Sequence, residues 1–158
     1  MNKNTLNFGV GETEHAVRDR LLGTWKLIAT EETVKDGSTR PFPQFRPNAK
    51  GFLTYQADGH MCALLVNPDQ PKSTVAIEKT LNKKAASFDA AFAYCGRYEI
   101  DAGQKHIVHL PEVATHPGYV GSRQVRPYEF DGNRLILSDI EKEDPTVVRW
   151  KIVWEKMQ

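Results

Sequence analysis

From Gly23 to Glu155 the chain runs as short segments of alternating apolar and polar residues. Turn signals separate them, and there are none of the long helical crossovers that parallel strands need. Trp25, Leu27 and Ala29 alternate with Lys26, Ile28 and Thr30, which predicts a first strand with the Trp25 set facing inward. Gly51 to Gln56 and His60 to Val66 form a hairpin through Asp58-Gly59, whose glycine supplies the positive φ that a tight turn requires. Gly96 to Asp101 and Lys105 to Val113 form a second across Ala102-Gly103-Gln104. Arg123 to Phe130 and Arg134 to Ile140 form a third across Asp131-Gly132-Asn133. Val147 to Glu155 closes the series with Trp150, Ile152 and Trp154 in alternation. The period-two rule thus gives roughly eight strands. Consecutive hairpins favour up-and-down order, and a sheet of this size removes its exposed edges by closing. The expected fold is an all-β, up-and-down antiparallel eight-stranded barrel.

Two stretches break the alternation with a helical period. Glu12 to Leu22 carries Val17 and Leu21 on one face, Thr13 as N-cap and Gly23 as stop, and is expected to plug one end of the barrel. Ala85 to Tyr94 sets Phe88 and Phe92 four apart, with Ser87 as cap, which predicts an inserted helix over the barrel's opening or flank. The domain division is therefore a tail and capping helix over 1–22 and a barrel over 23–158. Lys35 to Lys50 holds Pro41, Pro43 and Pro47 and reads as a long loop, with Phe42 and Phe45 as candidate lid residues together with Tyr119. Asn67 to Lys84 is polar and ends in Lys79, Lys83 and Lys84, a solvated run or a phosphate-binding patch.

A chain of 158 residues can bury a core of its own without staples. Lys and Arg number 21 against 20 Asp and Glu, a net charge of +1, so no basic field exists to hold nucleic acid. Met1 to Val10 lacks the apolar run of a secretory signal, and no stretch reaches the length of a membrane span, so a cytoplasmic address is expected with no membrane partner. One pair of cysteines, Cys62 and Cys95, reads as two inert free thiols in a reducing compartment.

Several blocks of the sequence resemble the lipocalin-like domain family of bacterial and fungal proteins. They are Leu22-Gly23-Thr24-Trp25-Lys26-Leu27, Gly51-Phe52-Leu53-Thr54-Tyr55 with Asp58-Gly59-His60-Met61, and Ala93-Tyr94-Cys95-Gly96-Arg97-Tyr98-Glu99. Val108-His109 with Glu112, Gly121 with Gln124-Val125-Arg126, Asp131-Gly132 with Leu135, and Trp154-Glu155 continue the match in order. The resemblance implies a lipocalin-like antiparallel barrel with an internal cavity for a small apolar molecule. Some barrel relatives act as isomerases or cyclases. Lys156 stands where lipocalins tend to carry an arginine over the opening tryptophan, which implies a looser contact with Trp25.

A barrel's interior is where a ligand sits, so the polar residues that the alternation sends inward are the candidates. Tyr98 shares its parity with Ile100, His109 with Ile107, and Gln124 and Arg126 with Tyr128. Tyr55 joins them if Leu53 faces inward, and Trp25, Met61 and Trp150 line the ligand's walls. Arg126 cannot shed its proton, so its burial demands an answer. Glu112 or Glu99 would be a structural one, although parity turns both outward unless Pro111 introduces a bulge. An anionic or carbonyl ligand would be a functional one. His109 is either a hydrogen-bonded core histidine or, beside Tyr98 or Tyr128, an acid/base. No His or Cys spacing matches a zinc site and no cofactor is implied.

These residues support three readings. The first is a barrel that binds an apolar or aromatic molecule bearing an oxygen function. The second is an isomerase or cyclase with His109 as general acid/base, Arg126 stabilising developing enolate charge and Tyr98 assisting. The third is a packed barrel that serves only as a protein-interaction module. Either small-molecule reading needs a void of about 300 Å³. Outward Ile28, Cys62, Leu64, Val66 and Val108 leave room for a homodimer face.

Overall fold

Alternation and hairpin turns produce a single antiparallel sheet in the computed structural model, which describes residues 11–45, 47–69, 90–139 and 146–158. The strands are β1 (Gly23–Val34), β2 (Thr39–Arg40), β3 (Lys50–Tyr55), β4 (His60–Val66), β5 (Ala91–Asp101), β6 (His106–Ala114), β7 (Gln124–Asp131), β8 (Arg134–Asp139) and β9 (Val147–Lys156). β1 and β3 to β9 follow one another in order, and β1 pairs again with β9, closing an eight-stranded barrel; β2 is a two-residue addition to the edge of β1. The turns at Asp58-Gly59 and Asp131-Gly132 behave as their glycines require, with φ of +89° and +58°. In the second hairpin the left-handed position falls on Lys105, φ +54°, and not on Gly103.

The helix α1 (Glu14–Leu21) is capped by Thr13, whose Oγ1 accepts the Ala16 amide at 3.2 Å. It buries Val17 and Leu21, and the indole of Trp25 donates to the Leu21 carbonyl at 2.8 Å, tying the helix to the first strand. Arg18 and Arg20 lay their guanidinium groups on the rings of Tyr98 and Phe130, so the helix seals this end of the barrel. Lys156 does stand over Trp25, its Nζ 5.0 Å from the ring centroid, and donates to the Arg20 carbonyl at 2.6 Å.

Two bulges alter the parity on which the sequence reading rests. Between Leu27 and Ala29 the β1 register against β9 shifts, so Ile28 and Ala29 both face solvent and Thr30 turns inward. Ala29 is therefore outward, contrary to the simple alternation. The second bulge lies opposite Cys95 and Gly96, where the partner jumps from Val113 to Pro111. It does not bring Glu112 inward: Glu112 and Val113 both face out, Pro111 is buried, and Glu112 reaches Arg97 at 3.6 Å. Gly96 makes this bulge possible, since a Cβ there would fall on the Leu110 carbonyl oxygen and lie 2.8 Å from the Glu112 amide. Neither obstacle is a flexible side chain, so Gly96→Ala is expected to lower unfolding free energy by about 1–3 kcal/mol. A urea melt with an unchanged midpoint would contradict the close approach.

Three other expectations need correction. Ala91 to Tyr94 belong to β5, so the inserted helix does not extend to Tyr94; Ala85 to Asp89, with Ser87 and Phe88, lie outside the described residues, as do Lys79, Lys83 and Lys84. Cys62 and Cys95 are not free thiols. They face each other across β4 and β5, their Cα atoms 4.1 Å apart, and are joined by a disulfide. Starting the strand at Gly96 hides the register that sets the two cysteines opposite. The bridge closes a 33-residue separation and fixes the two strands that flank residues 70–89. It also removes the free-thiol argument for a reducing compartment. Val108, expected on an outward face, is buried, whereas Ile28 and Leu64 are exposed.

Candidate functional site

With α1 closing one end, the interior opens toward the other, where the proline-rich loop after β2 and the 3-10 turn Pro117–Tyr119 meet the barrel rim. The β1 bulge places this loop. It turns Thr30 inward, and the Thr30 hydroxyl accepts the Phe42 amide at 3.2 Å. Phe42 then packs edge-on against Trp150, ring centroids 5.9 Å apart, and Phe45 is buried beneath. Beneath the loop lies a cavity of about 270 Å³, close to the volume that a small-molecule site needs. Leu53, Leu65, Leu137 and Ile152 supply aliphatic wall, and Phe92 and Trp154 aromatic wall.

His109, on β6, forms part of the cavity wall and is 1% exposed. Its Nε2 lies 2.7 Å from the Tyr55 hydroxyl on β3 and its Nδ1 2.8 Å from the Tyr94 hydroxyl on β5. Burial, reinforced by the positive charge of Arg126, pushes the imidazole pKa down to about 3, so the ring is neutral near pH 7. A neutral imidazole donates through one nitrogen and accepts through the other. One tyrosine therefore donates to the ring and the other accepts from it. Both phenols are held protonated: burial raises Tyr94 to about 12 and Tyr55 well above its ordinary value.

Arg126, on β7, is 5% exposed and finds its answer inside the protein. Its NH1 donates to the Asp139 carboxylate on β8 at 2.9 Å, and its NH2 donates to Gln124 Oε1 at 2.8 Å and to the Tyr119 hydroxyl at 3.2 Å. The Trp150 ring lies 4.8 Å from the guanidinium carbon. The partner is Asp139, not Glu112 or Glu99, which pair on the outer surface with Arg97 and Arg123. Parity within β8 sets Asp139 on the inner face with Leu135 and Leu137, and its register partner on β9 is Trp150.

Of the residues that the sequence nominates, His109, Arg126 and Trp150 line the cavity, and so do the loop aromatics Phe42, Phe45 and Tyr119. Gln124 supports Arg126 from the side and is itself held by Ser122 at 2.8 Å. Tyr55 stands behind His109. Tyr98 is opposite His109 in register, yet its hydroxyl donates to the Gln56 carbonyl at 3.0 Å and its ring meets Arg18, so it belongs to the helix-sealed end. Trp25 and Met61 are core residues outside the cavity lining, and Tyr128 packs against Phe130. Neither Tyr98 nor Tyr128 bonds to His109; Tyr55 and Tyr94 do. Tyr94 was hidden by its assignment to a helix, although Phe92, Tyr94, Gly96 and Tyr98 share one parity. Glu32, which lines the cavity and pairs with Arg40 at 3.0 Å, was hidden by the β1 bulge. Trp154 was visible in the Trp150 alternation, but only as wall.

No helix among the described residues is long and apolar enough to cross a membrane. No curated protein matches the chain. The sequence model of the lipocalin-like domain matches residues 22–157, which takes in every strand of the barrel. The chain belongs to the lipocalin-like domain family.

Proposed function

We propose that this barrel binds a small apolar or aromatic molecule bearing an oxygen function, held in the cavity beneath the Phe42–Phe45 loop. The observation that carries the reading is the cavity itself: about 270 Å³ of mainly apolar wall with a few fixed polar groups. A packed barrel acting only as an interaction module would have no use for such a void, which costs stability.

The isomerase or cyclase reading draws less support. Both nitrogens of His109 are occupied by tyrosine hydroxyls, and its pKa of about 3 makes it a weak base that holds no imidazolium proton to give near neutrality. Arg126 is already matched by Asp139, so less of its charge is left for a developing enolate. A homodimer through the outer face would use Ile28 and Leu64, joined by exposed Phe52, which is the register partner of Leu64. A cytoplasmic address is compatible with the reading only if the Cys62–Cys95 bridge is dispensable there.

Native mass spectrometry of freshly purified protein is the first test, with a co-purified molecule released on denaturation as the expected result. Titration with the neutral fluorophore N-phenyl-1-naphthylamine supplies the second. Ala63→Phe fills the cavity from β4 and is expected to abolish the fluorescence gain while the circular dichroism spectrum stays that of the barrel. Equal binding by the folded variant would place the probe outside the barrel and sink the proposal.

A further inference from the structure

His109 and its two tyrosines hold one proton more than their own hydrogen bonds use. The neutral imidazole carries one N–H and each phenol one O–H, while the bonds at 2.7 Å to Tyr55 and 2.8 Å to Tyr94 take one proton each. The remaining proton stays on the tyrosine that accepts from the ring. Burial decides which one that is. Tyr55 is 2% exposed, lies outside the cavity lining and makes no other hydrogen bond among the described residues. Its ring meets Tyr98 edge-on at 4.9 Å, and the Tyr98 hydroxyl already donates to the Gln56 carbonyl. A spare proton on Tyr55 would be a buried donor with neither protein nor cavity to take it, and such groups are rare because they cost more than a hydrogen bond gains.

Tyr94 has an outlet. It lines the cavity, and so do the groups beside its hydroxyl: His109, whose Nδ1 is 2.8 Å away, and Arg126, whose positive charge offsets part of the effect of burial on the phenol. Arg126 carries donors only, so it cannot take the Tyr94 proton, and no acceptor among the described residues does. The proton order is therefore Tyr55 O–H to Nε2, Nδ1–H to the Tyr94 oxygen, and Tyr94 O–H toward the cavity. A phenol oxygen that accepts from the imidazole beside a guanidinium is polarised, which strengthens its own O–H as a donor. The charged side chains at the cavity are already matched, Arg126 by Asp139 at 2.9 Å and Glu32 by Arg40 at 3.0 Å, so an anion would give up its hydration for a cation already paired. Size sets a limit as well. A protein cavity of about 150 Å³ accommodates benzene, so 270 Å³ suits one substituted ring or two fused rings.

We infer, resting on the small-molecule reading above, that Tyr94 is the specificity-determining residue: the cavity selects an uncharged one- or two-ring molecule whose carbonyl-type oxygen accepts the Tyr94 O–H. Tyr55 and His109 are positioning residues that turn this proton toward the ligand. A hydrocarbon of the same shape fills the same volume and leaves the hydroxyl without an acceptor. A carboxylate of the same size brings a charge that the site has no free cation to meet.

The proton order is read without any ligand, from the ring-nitrogen signals of His109 in long-range 1H–15N spectra of the full chain. The expected tautomer carries its proton on Nδ1. The signals are assigned by their loss in His109→Gln or, should that variant fail to fold, by through-bond assignment in the unaltered protein. An Nε2–H tautomer would overturn the Tyr94 assignment and leave a binding barrel intact. Three probes of matched size then test selection: 1-tetralone, tetralin and 1-naphthoate, titrated calorimetrically. Tetralone is expected to bind about threefold to tenfold tighter than tetralin, the span of one net hydrogen bond, with naphthoate weakest. Tyr94→Phe is expected to bring the affinity for tetralone down to that for tetralin. In the unaltered protein the carbonyl carbon of 13C-labelled tetralone should move downfield on binding, the signature of an accepted hydrogen bond, and this readout does not depend on the variant. Equal affinities for tetralone and tetralin, or a tetralone advantage that survives in folded Tyr94→Phe, would overturn Tyr94 as the selecting donor. Naphthoate as the tightest probe would overturn the uncharged class. Failure of all three to bind would overturn the cavity reading and this inference with it.

Discussion

Asp139→Ala is expected to destabilise the barrel by about 2–4 kcal/mol in urea denaturation, more than Arg126→Met does, with the double variant recovering much of the loss. The asymmetry follows from burial. The Arg126 side chain is 7% exposed and that of Asp139 37%, so loss of the carboxylate strands a guanidinium that water reaches poorly, whereas loss of the guanidinium leaves a carboxylate that water partly solvates. Arginine cannot escape by deprotonation, and what then faces it is Gln124, the Tyr119 hydroxyl and the Trp150 ring, none of which carries a negative charge. The partial exposure of Asp139 keeps the figure below that of a fully buried pair. Asp139→Ala should also open the cavity to anions, so 1-naphthoate is expected to bind it more tightly than the unaltered protein. If Arg126→Met proves the costlier single change, the guanidinium draws its main support elsewhere and the pairing is peripheral.

That pairing illustrates where sequence reasoning stops. Inward placement of Arg126 was legible, because period two runs undisturbed from Gln124 to Phe130 and both neighbouring strands pair in regular register. Its partner was not, because Asp139 lies 13 residues away on the next strand and becomes a neighbour only through the register of the β7–β8 hairpin. The barrel itself was legible for the same local reasons: glycine turns, alternating strands and a capped helix each require only a few adjacent residues. Bulges are different. The extra residue at Ile28–Ala29 and the one at Glu112 depend on how a strand pairs with its neighbour, and side-chain alternation does not report it. One bulge moved Glu32 and Thr30 inside; the other kept Glu112 outside. Misreading Ala91 to Tyr94 as helix had a similar cause, since Phe88 and Phe92, four apart, satisfy a helical period while Phe92 and Tyr94 satisfy a strand. That single misassignment concealed both the tyrosine on His109 and the cysteine register.

His109 carries the other large effect, a pH dependence. Its pKa is about 3 in the folded barrel and about 6.5 in an unfolded chain. Above pH 6.5 neither form binds the proton, and stability from this group is constant. Between 6.5 and 3 the unfolded chain takes up a proton that the folded one refuses, so unfolding free energy falls as pH falls, by up to about 1.4 kcal/mol per unit and about 5 kcal/mol in all. His109→Gln should lack this slope. At pH 7.5 the variant is expected to be less stable by about 1–3 kcal/mol, because the hydroxyls of Tyr55 and Tyr94 lose a well-placed partner. The two proteins then converge as the solution is acidified toward pH 4. Asp36 and Asp58, whose carboxyls are lowered by hydrogen bonds from Ser38 and from His60, titrate in both proteins, so the difference curve isolates the histidine. A flat difference from pH 7.5 to 4 would mean that His109 carries a charge inside the barrel. The predicted curve has the opposite meaning for function: an imidazole that refuses protons across this range, clamped on both nitrogens, is built to hold Tyr94 in the cavity wall and keep that wall neutral.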